Sequence, residues 1–148
     1  MGKMVKYFAY GSNLNLDQMQ YRCPDHQFLG PMYLNNYRIQ FRGPLDIEPS
    51  FNDLVIGAVF KVSQDDMRNL DRYEGFPRLY TKFRTWVYDL NGHKHMAWVY
   101  SMVNKDRRNP PSTAYFGNVK NGYFHCGIQQ YVPMLHYALR NSQTGIDY

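Results

Sequence analysis

Leu54-Val55-Ile56-Gly57-Ala58-Val59-Phe60-Lys61-Val62 is an unbroken, largely β-branched run carrying a single charge. A run this short and this apolar reads as a strand buried on both faces, because a half-exposed strand would alternate with polar residues. Such a strand needs a paired neighbour on each edge and cover on each face. The chain is therefore expected to be organised about a sheet.

The other segments supply the neighbours. Tyr80 to Leu90 and His95 to Val103 are extended runs joined through Asn91-Gly92, the dipeptide best suited to a tight hairpin turn. Phe28 to Leu34 and Tyr37 to Arg42 read as two further extended pieces, the second with clean alternation, while Gly43 to Pro49 reads as loop or edge strand. Helices are signalled between them. Ser12 and Asn13 read as caps for a helix opening at Leu14, and Pro24 ends that pattern. Ser63 caps a helix with Asp65 and Asp66 in its first turn and Met67, Leu70 and Tyr73 along it, stopped by Gly75. Ser112 caps a third carrying Tyr115, Phe116, Val119 and Tyr123, and Ile128, Tyr131, Val132, Leu135 and Leu139 describe a fourth from Gly127 onward. Strands in excess with helices between them indicate an α+β fold, a small mixed β-barrel or strongly twisted sheet with flanking helices. No repeat or composition shift marks a boundary, so residues 1–148 are expected to form one domain.

Tyrosine is abundant, 14 residues beside 9 phenylalanines, so any pocket should be walled by rings with hydroxyl tips. Cys23 and Cys126 lack metal-ligand spacing and imply neither zinc nor a disulfide framework. No apolar run approaches the ~18 residues of a membrane span, and Met1 to Met4 lead into a strand rather than a signal-peptide core. A cytoplasmic protein with no membrane partner is the expectation. The charge of +5 raises nucleic acid as a partner, yet the basic residues are scattered, and the densest group, Lys105-Asp106-Arg107-Arg108, borders Asn109-Pro110-Pro111 in an apparent loop. No nucleic acid is expected.

Two places carry chemistry. Met4 to Tyr10 is an aromatic strand that runs into Gly11-Ser12-Asn13 and then a helix, a junction that aims free backbone N–H groups at an anion or a carbonyl oxygen. Neither a P-loop nor a dinucleotide fingerprint is present there. Glu74 lies at the C-terminal end of its helix with Asp71 one turn earlier, where the dipole disfavours both. An acid near Asp71, Tyr73, Phe76 and Tyr80 should have a raised pKa, as a general acid and base needs near neutral pH; the alternative is surface pairing of Asp71 or Glu74 with Arg72, Arg78 or Lys82. His93 and His95 flank the hairpin turn without a third ligand, and His125-Cys126 at a helix end reads as packing rather than as a nucleophile pair.

Tyr7-Phe8-Ala9-Tyr10-Gly11-Ser12-Asn13-Leu14, then Leu70-Asp71-Arg72-Tyr73-Glu74-Gly75, then Tyr100-Ser101-Met102 followed by Pro110-Pro111-Ser112 and Tyr115, with Gly122 and Gly127 beyond, together resemble the γ-glutamylcyclotransferase (AIG2-like) family. The resemblance implies a small β-barrel with flanking helices that, without a cofactor or metal, cyclises γ-glutamyl amides or peptides to 5-oxoproline and releases the amine. It implies Glu74 as the catalytic acid and base. The substrate contacts it implies are Tyr7, Phe8, Ala9, Tyr10, Gly11, Ser12, Asn13, Leu14, Tyr100 and Tyr115, with Tyr80 beside the acid's loop. The chain departs from the family at Gly122-Tyr123, where Gly-Ala is frequent, and at Gly127-Ile128-Gln129, where Gly-Leu-Pro is. The partner is thus expected to be a small γ-glutamyl molecule, the released amine being open among glutathione, γ-glutamyl amino acids and γ-glutamylamines, and the protein a monomer or homodimer. The competing class is a protein that sequesters a small anionic or nucleotide-like ligand in the same pocket without turnover.

Overall fold

The apolar run is the second half of an 18-residue strand in the computed structural model, which describes residues 2–145. Five strands form a closed barrel: β1 (Val5–Ala9), β2 (Gln27–Phe41), β3 (Leu45–Val62), β4 (Tyr80–Asp89) and β5 (Lys94–Met102), in the spatial order β1-β3-β2-β4-β5. Four helices flank it: α1 (Leu16–Arg22), α2 (Gln64–Glu74), α3 (Thr113–His125) and α4 (Val132–Thr144).

β3 is central, as its composition requires. It pairs antiparallel with β1 on one edge, Phe8 opposite Val59, and with β2 on the other, Ile39 opposite Ile47. β4 and β5 form the antiparallel hairpin through Asn91-Gly92. The barrel closes on one parallel contact, Tyr7 opposite Trp98. Gly57 shows how tightly β1 and β3 are pressed together, since a Cβ there would lie 2.2 Å from the Ala9 carbonyl oxygen and 2.8 Å from the Phe8 ring. Phe8, Phe41, Phe60, Leu34, Leu45 and Ile47 are fully buried in the resulting core.

Two expectations need correction, and one open alternative resolves. The pieces Phe28–Leu34 and Tyr37–Arg42 are one strand, interrupted by a register shift at Asn36, whose φ of 65° is a left-handed conformation that asparagine accepts. For Gly43 to Pro49 the edge-strand alternative holds: the strand begins at Leu45, and Pro49 is paired to Tyr37. Pro49 is tolerated because β1 pairs with β3 only from Ala58 onward, so the missing N–H falls where β3 has one ladder partner. The fourth helix begins at Val132, with Pro133 in its first turn, and residues 129–131 form a separate 3-10 turn ahead of it.

α2 begins as its sequence indicates. Ser63 Oγ accepts the Asp66 N–H at 3.0 Å and the Asp66 carboxylate accepts the Ser63 N–H at 3.1 Å, a reciprocal capping box. Ser63→Ala is expected to lower stability by ~1 kcal/mol, read as a lower urea midpoint at unchanged slope.

The basic loop is tied to the barrel. Asp46, fully buried, accepts from Arg42 Nε at 2.9 Å, Lys105 Nζ at 2.8 Å and the Met102 N–H at 2.8 Å, and Arg42 also bonds the carbonyls of Lys105 and Arg107. A buried carboxylate needs such compensation, and Lys105 is spent on it rather than on a solvated phosphate patch. Among the described residues no helix is long and apolar enough to cross a membrane.

Candidate active site

The turn after β1 is built by its neighbours. Ser12–Leu14 form a 3-10 turn, and α1 starts only at Leu16, capped by Asn15 Oδ1 on the N–H groups of Asp17 (3.2 Å) and Gln18 (3.4 Å). Ser12 and Asn13 are therefore not caps; both side chains are buried and turned to other partners. α3 clamps this turn from outside. Cys126 Sγ donates to the Leu14 carbonyl at 3.3 Å, His125 Nδ1 accepts the Leu16 N–H at 3.0 Å, and Asn15 Nδ2 reaches the Asn118 carbonyl at 3.3 Å. Gly122 lets the helix touch the turn, since a Cβ there would lie 2.6 Å from both Asn15 N and Leu14 C. His125 and Cys126 thus act through the turn.

Above the turn opens a small cavity lined by Tyr7, Tyr10, Gly11, Ser12, Asn13, Leu45, Glu74, Tyr80, Tyr100 and Tyr115. Glu74 enters as the last residue of α2, before Gly75, whose φ of 68° takes the left-handed conformation that ends a helix. The Gly75 and Phe76 N–H groups satisfy the carbonyls of Asp71 and Arg72, so those carbonyls are not free to act on the acid. Asp71 does not act on it either. Its carboxylate holds Lys82 Nζ at 2.9 Å and accepts the Tyr100 hydroxyl at 2.6 Å. Burial alone pushes the Glu74 carboxyl up to about 7, with the positive charge of Arg22 pulling the other way. The expected direction is present, and its cause is desolvation rather than a second carboxylate.

The wall is a hydrogen-bonded lattice of phenols. Tyr10 donates to the Tyr100 carbonyl at 2.8 Å, Tyr80 to the Leu45 carbonyl at 2.7 Å, and the Leu45 N–H donates to the Tyr115 oxygen at 3.0 Å. Asn13 Nδ2 donates to the Tyr7 oxygen at 2.8 Å, while Asn13 Oδ1 accepts from Arg22 at 2.5 Å. The Arg22 guanidinium lies 3.4 Å over the Tyr73 ring, and the Tyr73 hydroxyl sits 3.2 Å from Ser12 Oγ. Burial raises the pKa of Tyr7, Tyr10, Tyr80, Tyr100 and Tyr115 well above the usual phenol, so all five are protonated at neutral pH.

Of the residues expected from sequence, Tyr7, Tyr10, Gly11, Ser12, Asn13, Glu74, Tyr80, Tyr100 and Tyr115 converge on this cavity. Phe8, Ala9 and Leu14 do not; each is fully buried and belongs to the core. Leu45 and Arg22 were not foreseen. Leu45 contributes backbone atoms, which no side-chain pattern announces, and Arg22 reads in sequence as an ordinary cation in the last turn of α1. Among the described residues no cluster of three or more His, Cys, Asp or Glu gathers as a metal site. His95 is held between Asp89 (2.9 Å) and Lys6 (2.9 Å), and burial pushes both cysteine thiols up to about 12, where neither is a nucleophile at neutral pH.

Residues 7–118, which carry every one of these converging residues, match the family model described as gamma-glutamyl cyclotransferase, AIG2-like. The chain belongs to this family. It is 28% identical over 127 residues to the gamma-glutamylcyclotransferase of Bos taurus, covering 77% of this chain and 67% of that one. To the gamma-glutamylcyclotransferase of Homo sapiens it is 29% identical over 122 residues, covering 74% and 64%. The chain thus spans about two thirds of the length of these relatives. A solved gamma-glutamyl cyclotransferase structure has a TM-score of 0.84 at 25% identity, over 90% of this chain and 87% of that one. The gamma-glutamyl cyclotransferase family is a family of enzymes, and its members' fold is the barrel described above.

Proposed function

We propose that the protein is a cofactor-free γ-glutamylcyclotransferase in which Glu74 is the acid and base. The observation that carries this reading is a buried carboxyl balanced near pH 7 at the wall of a cavity otherwise lined by neutral phenols and a glycine turn. Cyclisation joins the substrate's own α-amine to its γ-carbonyl carbon, so the protein must fold the glutamyl chain back and move protons. Glu74 removes a proton from the α-ammonium, the amine attacks, and the same carboxyl returns a proton to the departing nitrogen. A group whose pKa is near 7 serves in both directions, because neither protonation state is scarce at neutral pH. The leading N–H groups of the Gly11-Ser12-Asn13 turn have no partner inside the turn and suit the substrate's α-carboxylate. Closely held phenols on the remaining walls exclude water that would otherwise solvate the nucleophile.

The test is turnover. Wild-type protein is incubated with γ-glutamyl dipeptides, γ-glutamylamines and glutathione, and 5-oxoproline and the released amine are followed by mass spectrometry. Stoichiometric 5-oxoproline and amine from at least one class is the expected result. A folded protein that releases none, yet co-purifies with an unrelated ligand, would replace this reading with sequestration.

A further inference from the structure

The five cavity phenols divide by what becomes of their protons. Tyr10, Tyr80 and Tyr100 donate to the wall, to the carbonyls of Tyr100 and Leu45 and to Asp71 Oδ1 respectively. Tyr7 and Tyr115 instead receive hydrogen bonds at their oxygens, from Asn13 Nδ2 at 2.8 Å and the Leu45 N–H at 3.0 Å. The orientation of the Asn13 amide is settled by Arg22. A guanidinium only donates, so the atom 2.5 Å from it must be Oδ1, and Nδ2 is left to face Tyr7. Tyr7 is therefore an acceptor in that bond, and its own proton goes to no described residue.

We propose that the Tyr7 hydroxyl is the side-chain donor that holds the γ-carbonyl oxygen as it becomes an oxyanion, with Asn13 and Arg22 as its positioning residues; this rests on the cyclotransferase reading. Two observations select Tyr7 over Tyr115. The amide that bonds Tyr7 is itself polarised by a guanidinium, which strengthens the phenol's own donation, whereas Tyr115 receives an ordinary backbone N–H. The Tyr115 hydroxyl also lies 3.3 Å from where a Cβ on Gly11 would be, beside the turn assigned to the α-carboxylate. The Tyr7 ring is fixed between Phe60, stacked at 6.5 Å, and Tyr100, edge-on at 5.8 Å, so the donor is in place before the charge develops. Burial and the nearby Glu74 charge keep this phenol protonated throughout the working range.

The step balances. After Glu74 has taken the ammonium proton, the α-nitrogen bonds to the γ-carbon and the carbonyl π pair moves to oxygen, where Tyr7 donates a hydrogen bond without losing its proton. The oxyanion then collapses, the bond to the leaving nitrogen breaks, and Glu74 gives that nitrogen its proton. Ionised again, Glu74 takes the second proton from the ring nitrogen and passes it to the freed amine, which departs as an ammonium ion.

The test compares Tyr7→Phe, Arg22→Met and protein with 3-fluorotyrosine at position 7. Tyr7→Phe is expected to lower kcat by about 10²–10³ with KM little changed, the loss typical of one oxyanion donor. The fluorinated phenol is a stronger donor and should keep kcat at or above wild type. Arg22→Met should lower kcat by a smaller factor and move the midpoint of the pH–rate profile upward, because it also removes the charge that opposes the burial effect on Glu74. A folded Tyr7→Phe with wild-type kcat, or a loss confined to KM, overturns the assignment; should that variant not fold, a fluorotyrosine protein with kcat well below wild type does so. Wild-type turnover of a γ-glutamyl substrate to 5-oxoproline is the reference. Its absence brings down the cyclotransferase reading and this assignment with it, whereas its presence beside an unimpaired Tyr7→Phe brings down the assignment alone.

Discussion

Glu74→Gln is expected to form 5-oxoproline about 10²–10⁴-fold more slowly than wild type, the range for loss of a general acid–base group, with the upper end favoured because one side chain serves both proton transfers. Glutamine keeps the shape and can donate a hydrogen bond, but it cannot take the ammonium proton. KM should therefore change little. Stopped-time mass spectrometry at saturating substrate measures the effect, and a variant within tenfold of wild type would remove Glu74 from the proposed mechanism. The wild-type rate should rise with pH through about 7, as the folded carboxyl ionises. Stability moves in the opposite sense. The folded pKa of about 7 lies above the ~4.3 of an unfolded glutamate, so the folded state binds the proton more tightly. Below the unfolded pKa there is no penalty; between the two values the penalty grows, and above about 7 it is complete. Glu74→Gln should accordingly be more stable than wild type at pH 8, by up to roughly 4 kcal/mol, and gain little at pH 4. Thermal midpoints at the two pH values measure this, and a variant that gains nothing at pH 8 would contradict it.

Gly122→Ala is expected to lose about 3 kcal/mol of stability, at the upper end of overpacking costs, and to lose activity beyond what unfolding explains. The added methyl would meet Asn15 N, Leu14 C and Leu14 Cβ at 2.6 to 2.7 Å, and two of those atoms are backbone that cannot swing aside. Either α3 lifts or the turn gives way. If the turn gives way, Gly11, Ser12 and Asn13 leave their places, and Asn13 loses its reach to Tyr7. Chemical denaturation and turnover on the remaining folded fraction separate the two effects; a destabilised variant with full specific activity would mean that α3 yields instead.

Much of this was legible in the chain. The apolar run from Leu54 predicted a central strand because burial on both faces leaves no room for alternation, and Asn91-Gly92 marked the β4–β5 hairpin because its loop needs a left-handed residue, supplied by Gly92 at φ 84°. Glu74 stood out by sitting where the helix dipole disfavours it. What the sequence hid has physical reasons too. Asn36 merges two extended pieces through a left-handed residue, which alternation cannot distinguish from a break. Asn15 rather than Ser12 or Asn13 caps α1 because a 3-10 turn intervenes, and all three residues have equal local right to the cap. The cause of the Glu74 shift was assigned in part to Asp71, whereas the pairing of Asp71 with Lys82, held open as the alternative, is the one the fold makes, and burial is left to raise the acid. Leu45 joins the cavity by its backbone, which every residue shares.

The parallel contact of Tyr7 with Trp98 carries a kinetic meaning. The first strand of the chain meets its last barrel neighbour only after the whole of β2 to β5 has been made, so on a ribosome the barrel stays open until β5 has emerged. Topologies that depend on such distant pairings fold slowly, because chain closure must be completed before its contacts contribute. Tyr7 stands at that closure and Tyr10 follows it into the turn. Competence to act on a substrate should therefore be among the last properties the newborn chain acquires.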